Sequence, residues 1–153
     1  MNLYAAIRPL LFRLDSEMAH RVSLSLLPYF PLSRKLSAMT QPVSCMGLTF
    51  KNSVMLAAGL DKNADHVAAL FRLGFSGIEL GTVTPRPQSG NPKPRCFRVP
   101  QAQALINRMG FNNKGVDYLV SQLTGKRHEG IIGVNLGKNK ETPNDEAFDD
   151  YRY

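Results

Sequence analysis

Cysteine is scarce in this chain: Cys45 and Cys96 stand far apart, with no C-x-x-C spacing. That excludes a disulfide framework and the usual zinc spacings. It leaves two free, buried thiols in a reducing compartment as the expectation. Long apolar runs are missing too. The longest uncharged stretch near the N-terminus, Val22–Ser33, is too short to cross a bilayer and contains Pro28 and Pro31. Arg8, Arg13, Asp15, Glu17 and Arg21 interrupt what would otherwise read as a signal peptide, and no Arg/Ser-rich transit peptide is seen. Neither G-x-G-x-x-G nor G-x-x-x-x-G-K-[ST] occurs, so no standard nucleotide-phosphate loop is indicated. His20, His66 and His128 are dispersed and make no metal cluster. No low-complexity, collagen-like or coiled-coil pattern is present.

What is there is globular. Of 153 residues, 43% are hydrophobic and 20% charged, which argues against disorder. The length suits one domain but is about half of the roughly 250 residues of a closed (β/α)₈ barrel. Acidic residues are outnumbered, giving a net charge of +7. The excess sits at +3 in residues 1–50 and +4 in residues 51–100, and vanishes in residues 101–153. Such a balance suits anionic lipids or small anions. Nucleic acid is disfavoured, because the basic residues are scattered singly and no recognition motif accompanies them.

Residues 3–14 place Leu3, Ile7, Leu10, Leu11 and Leu14 on one helical stripe, with Pro9 awkward inside it. Asp15 or Ser16 suits the N-cap of a second helix running to about Leu27 and ended by Pro28. These helices form a packed pair or lie on a membrane surface. Residues 31–42 read as a linker with a short helical piece. Leu48 and Phe50 alternate with Thr49 and Lys51, suggesting a hairpin, and Lys51-Asn52 a turn. Val54–Ala58 reads as a short buried strand, Ala64–Leu73 as a helix stopped by Gly74, and Gly77–Thr82 as the next strand. Thr84–Pro100 reads as a long proline-rich loop. Asn113 suits the cap of a helix over Val116–Leu123, and Gly130–Leu136 is a third strand. The end, ETPNDEAFDDYRY, is polar and acidic.

This alternation predicts a parallel sheet covered by helices, with chemistry at the carboxyl ends of its strands. Four segments cluster there. AAGLDKN (Ala57–Asn63) offers small residues on which a flat ligand can lie, and Lys62 as one cation; a tight turn with a solvated lysine is the plain alternative. GTVTPRP (Gly81–Pro87) offers Thr82 and a rigidly held Arg86, or simply a stiff loop. NRMGFNN (Asn107–Asn113) is amide-rich and suits a planar ligand with mixed edges, or turn chemistry. NLGKNK (Asn135–Lys140) repeats Asn, Gly and Lys at a strand end.

Together CMGLTFKN, AAGLDKN, GTVTPRPQSGNPKPR, LINRMGFNN and NLGKNK, in this order, closely resemble the N-terminal half of class 2, quinone-dependent dihydroorotate dehydrogenase. The resemblance covers the whole chain. It implies the N-terminal portion of a (β/α)₈ TIM barrel, residues 43–153, preceded by a two-helix membrane-associating extension, residues 1–42, that forms a quinone tunnel. By position it implies FMN contacts at Ala58, Gly59, Leu60, Asp61, Lys62, Thr82 and Asn135. It implies dihydroorotate contacts at Lys62, Asn107, Arg108, Met109, Gly110 and Phe111, and a quinone site at His20 and Arg98. The implied reaction removes a proton from C5 and passes hydride from C6 to FMN, which a membrane quinone reoxidises, in pyrimidine (UMP) biosynthesis. The family's serine base lies on a loop after a later strand and is expected beyond Tyr153; Ser121 sits in a helical segment and does not match. The FMN phosphate site and the remaining substrate asparagines are expected there too. This chain alone is expected to be inactive, and the implied location is the cytoplasmic face of a bacterial inner membrane, in contact with its lipid. Two alternatives stay open: a membrane-binding module or truncated product without catalysis, and a soluble class 1-like enzyme.

Overall fold

A computed structural model describes residues 3–30 and 41–153. Its elements are α1 (Leu3–Arg13), α2 (Ser16–Leu26), β1 (Val43–Cys45), β2 (Leu48–Phe50), β3 (Met55–Leu56) and α3 (Val67–Phe71). They continue with β4 (Gly77–Val83), β5 (Cys96–Val99), β6 (Ala104–Asn107), α4 (Val116–Leu123), β7 (Ile131–Leu136) and α5 (Ala147–Arg152). The expected helical piece within residues 31–42 falls largely outside the described residues. The chain divides into two units, one of residues 3–30 with Asn91–Met109, the other of residues 41–90 with Gly110–Tyr153.

In the first unit Asp15 caps α2. Its carboxylate accepts from the backbone N–H of Glu17 at 3.0 Å and of Met18 at 3.2 Å, satisfying donors that a helix start otherwise leaves open. Ala19 and Leu24 are the buried residues of α2, which passes into a 3₁₀ turn carrying Pro28. Pro9 is accommodated inside α1. Of the predicted stripe, Leu10 is 61% exposed, whereas Ile7, Leu11 and Leu14 are half-buried. The unit's other half is a hairpin the sequence reading missed. β5 and β6 pair antiparallel, Cys96 opposite Asn107 and Val99 opposite Ala104. The expected Thr84–Pro100 loop therefore ends at β5. Its prolines punctuate the approach, but Cys96, Phe97 and Val99 have the branched or aromatic character that suits a strand.

In the second unit β1 and β2 form the expected hairpin, turning at Met46 (φ 50) and Gly47 (φ 75). Two left-handed residues give the tight turn whose twist matches the strands. Lys51-Asn52 is a bend outside it, where the Asn52 side chain accepts from Val54 N–H at 2.9 Å.

β3, β4 and β7 form a parallel sheet in the order β3-β4-β7, as the alternation of strands and helices predicts. β4 is central and nearly all buried: Ile78 and Leu80 are fully enclosed and Val83 almost so. Across it lies α3, with Val67, Ala69, Leu70 and Phe71 buried. Val67, Leu70 and Phe71 each contribute about 1.5–3 kcal/mol on burial, and Ala69 less. The expected Val54–Ala58 strand shrinks to Met55–Leu56 and is not buried: Val54 is 56% and Met55 44% exposed, because β3 is the sheet edge. The Ala64–Leu73 helix begins only at Val67, since Ala64 adopts φ 61. Both thiols miss the buried environment expected of them, Cys45 being exposed on β1 and Cys96 half-buried on β5.

Candidate functional site

A parallel sheet delivers all its strand ends to one edge, where backbone groups run out of partners. In the second unit that edge is drawn together by short polar contacts. Gly59 N–H, just past β3, donates to Gly81 O of β4 at 2.9 Å. Thr82 Oγ1 donates to Asn135 Oδ1 of β7 at 2.6 Å, and Asn135 Nδ2 donates to Glu79 Oε1 at 3.2 Å. Two glycines make this approach possible. Gly59 (φ 108) has open space where a side chain would stand. Gly81 (φ 101) would carry a Cβ only 2.5 Å from Asn135 O. L side chains rarely adopt either φ.

Ala58, half-buried, Leu60, 37% exposed, and Asp61, buried, fill the turn after β3. Asp61 uses its two oxygens on the start of α3, accepting from Asp65 N–H at 3.0 Å and His66 N–H at 2.7 Å. Lys62 projects next, its Nζ donating to Asn112 Oδ1 at 2.9 Å. Of the implied cofactor positions, Gly59, Thr82 and Asn135 are tied into the joined strand ends, and Lys62 follows on the same turn as Gly59.

Beneath them lies a hub of buried amides and hydroxyls that sequence reasoning did not assemble. Asn113 Nδ2 donates to Thr84 Oγ1 at 2.9 Å and to Phe111 O at 2.7 Å, while its Oδ1 accepts from Gly115 N–H at 2.8 Å. Asn139 Nδ2 donates to Arg86 O at 2.8 Å and Gln88 Oε1 at 3.1 Å, and its Oδ1 accepts from Arg86 N–H at 3.0 Å. Gln88 Nε2 reaches Gly110 O at 3.2 Å. Asn113 is thus no side-chain cap of α4, which begins at Gly115 without one. The signal available lay in segments already singled out, Asn113 closing NRMGFNN and Asn139 within NLGKNK, each near a Gly and close to a helix start or strand end. Arg86 donates to Thr142 Oγ1 at 3.1 Å and Lys138 to Thr142 O at 2.8 Å, so both cations serve the loop itself. Asp150 of α5 accepts from Asn139 N–H at 2.7 Å, and that bond lowers its pKa below the usual carboxylate value.

On the flank, Lys114 Nζ meets Asp65 at 3.1 Å and Tyr118 Oη at 2.9 Å. Burial opposes its charge, but these partners outweigh that and raise its pKa.

Gly110 and Phe111 belong to this unit, both at positive φ and Phe111 54% exposed. Asn107, Arg108 and Met109 belong to the first unit, Asn107 ending β6. Arg98 on β5 donates to Leu14 O at 2.8 Å and Leu11 O at 3.4 Å, covering the carbonyls that end α1. Its guanidinium carbon and that of Arg8 each lie 4.8 Å from the Phe12 ring centroid. His20 is exposed on α2. Sequence reasoning also missed Arg95. Buried at the base of β5, it grips Glu17 of α2 through two bonds, Nε–Oε1 at 2.7 Å and Nη2–Oε2 at 3.1 Å.

Among the described residues no helix is long and apolar enough to cross a membrane.

Comparison with known proteins fits this architecture. The family profile described as dihydroorotate dehydrogenase matches residues 40–153. A dihydroorotate dehydrogenase (quinone) of Legionella pneumophila (strain Lens) is 59% identical over 99% of the chain and 45% of its own length. Its counterpart in Acinetobacter baumannii (strain AYE) is 54% identical over 97% of the chain and 45% of its own length. The chain thus spans under half the length of these curated relatives. Among solved structures, the DHODH of Eimeria tenella in complex with ferulenol superposes with a TM-score of 0.79 at 41% identity, covering 90% of this chain and 39% of that one.

Proposed function

Because the chain belongs to the dihydroorotate dehydrogenase family, we propose that these residues form the N-terminal part of an enzyme that oxidises dihydroorotate to orotate, with a quinone as final acceptor. The observation that carries the reading is the joined strand ends of β3, β4 and β7, with Gly59 and Gly81 leaving backbone bare and Lys62 following on the first turn. A flat, polar-edged ring system fits such a place. It needs backbone without side-chain bulk, an amide and a hydroxyl that both donate and accept, and a cation for electron-rich atoms.

Flavin mononucleotide is the group we assign there, held by Ala58, Gly59, Leu60, Asp61, Lys62, Thr82 and Asn135. When bound, it supplies the hydride-accepting and quinone-reducing chemistry that no side chain can. The chain's own work is orientation. Thr82 and Asn135 fix each other, so neither must reorder when a ring arrives. Lys62 presents an ammonium to a carboxylate, as the acid group of dihydroorotate requires. Gly110 and Phe111, anchored through Gln88, are assigned to substrate, as are Asn107, Arg108 and Met109 from the family's motif. The proton-accepting serine belongs to sequence beyond these residues.

The barrel portion, residues 43–153, and the helical extension, residues 1–42, are part of the same reading. We assign the extension to a membrane surface on the cytoplasmic side, with His20 and Arg98 toward the quinone. Exposed Tyr4, Leu10 and Phe12 beside Arg8 support it, since apolar and cationic groups on one helix suit an anionic lipid surface.

The test is steady-state kinetics in a chain of the relatives' length that carries these residues. Dihydroorotate should reduce a quinone analogue, and Lys62→Ala should cut kcat/KM about a hundredfold by removing a charge aimed at substrate. Absence of dihydroorotate-dependent quinone reduction in the unaltered protein would overturn the reading.

A further inference from the structure

Asn107, Arg108 and Met109 are poorly protected by packing: Asn107 and Arg108 are exposed and Met109 only half-buried. Their position is instead set by hydrogen bonds. Arg108 N–H donates to Arg95 O at 2.8 Å. Arg108 O accepts from Asn91 Nδ2 at 2.8 Å. Met109 O accepts from Asn91 N–H at 3.0 Å and from Arg95 Nη1 at 3.5 Å. Arg95 and Asn91 therefore hold the backbone of Arg108 and Met109.

Arg95 in turn does not stand alone. Its Nη1 also donates to Asn91 O at 2.9 Å, joining the two holders. Its other two nitrogens are taken by Glu17 in the first turn of α2, and the paired side chains are only 7% and 13% exposed. Lys93 adds a longer contact to the same carboxylate at 3.5 Å. A planar guanidinium held along its Nε–Nη2 edge by a carboxylate, with Nη1 on the Asn91 carbonyl, has a single orientation open to it. Removing the carboxylate frees that orientation and leaves a buried cation uncompensated.

We propose that Glu17 and Arg95 form a positioning pair through which helix α2 fixes the backbone of Arg108 and Met109 for substrate. The proposal rests on the reading of residues 107–109 as dihydroorotate and orotate contacts. Neither Glu17 nor Arg95 touches substrate in this account. Their effect passes through the carbonyls and amides named above. It follows that this ion pair couples helix α2, which the enzyme would use toward quinone, to the substrate segment.

The experiment uses a chain of the relatives' length with its flavin bound. Glu17→Gln keeps the shape of the side chain and removes its charge. Asn91→Ala removes the second support and leaves α2 alone. Both should raise the Kd for orotate, measured by flavin absorbance, about three- to tenfold, the size expected when a coupled contact is lost. The KM for dihydroorotate should rise in step while kcat at saturation stays within about twofold. In a double-mutant cycle, Glu17→Gln should add little to Arg95→Gln. Should Glu17→Gln not accumulate, Glu17→Asp, which keeps charge but falls short in reach, carries the same test. A purely structural pair would lower thermal stability with orotate affinity unchanged, and that result overturns the proposal. If the unaltered protein binds no orotate, the functional reading fails instead.

Discussion

At the scale of single residues, Asn113 shows how one amide can organise several loops. Its side chain joins Thr84, Phe111 and Gly115, and its backbone pairs with Gln88. Replacing it leaves several buried partners unmatched, at about 1–3 kcal/mol for a typical unmet group. Asn113→Ala should therefore destabilise by about 3 kcal/mol, read as a lower urea midpoint at constant slope. Glu17 gives a prediction in pH. The hydrogen bond from Arg95 holds its carboxyl below the usual value, against the opposing effect of burial. A lowered native pKa means the unfolded chain takes up the proton first as pH falls. The pair's stabilisation is thus complete above the ordinary Glu range and disappears as pH drops through it toward the native value. Unfolding free energy measured across that acid range should fall less steeply in Glu17→Gln than in the unaltered protein. Identical slopes would contradict the assignment.

At the scale of elements, some of the fold was readable and some was not, for physical reasons. β4 and β7 stood out because GIELGTV and IIGVNL are short and apolar, bounded by glycine or polar turns, although only β4 is enclosed and β7 stands at the sheet edge. The start of α2 was readable because Asp15 and Ser16 both suit an N-cap, and Asp15 takes that place. β5 was hidden by Pro92, Pro94 and Pro100, which punctuate the chain without preventing a four-residue strand between Pro94 and Pro100, and β6 was missed with the partner it pairs to. The segments that the structure brings to the strand ends were legible, since glycine, lysine and asparagine recur there. The contacts joining them were not, because Thr82 to Asn135 and Arg95 to Glu17 depend on tertiary approach. The end of β4 is the sharpest element-level test. Gly81→Ala places a Cβ against Asn135 O in a backbone region closed to alanine. It should cost about 3 kcal/mol and separate the ends of β4 and β7, seen as a lower melting temperature and weaker flavin retention. An unchanged melting temperature and full flavin content would refute the close approach.

At the scale of the whole molecule, the family profile over residues 40–153 and relatives above 50% identity show the family, and the chemistry proposed from it is assigned to the joined strand ends of the second unit. The division of the chain was not legible in sequence order. Asn91–Met109 lies between two stretches of the sheet unit yet groups with the N-terminal helices. The basic excess of residues 1–100 agrees with anionic ligands, but charge alone could not choose among lipid, carboxylate and phosphate. The joined ends of β3, β4 and β7 are assigned to help hold a flavin that dihydroorotate reduces. The most direct measurement is the visible absorbance spectrum of a chain of the relatives' length, taken without oxygen before and after dihydroorotate is added. The expected result is a yellow protein whose flavin bands bleach on addition and return when a quinone analogue follows. A colourless protein, or flavin bands that dihydroorotate leaves untouched, would contradict it.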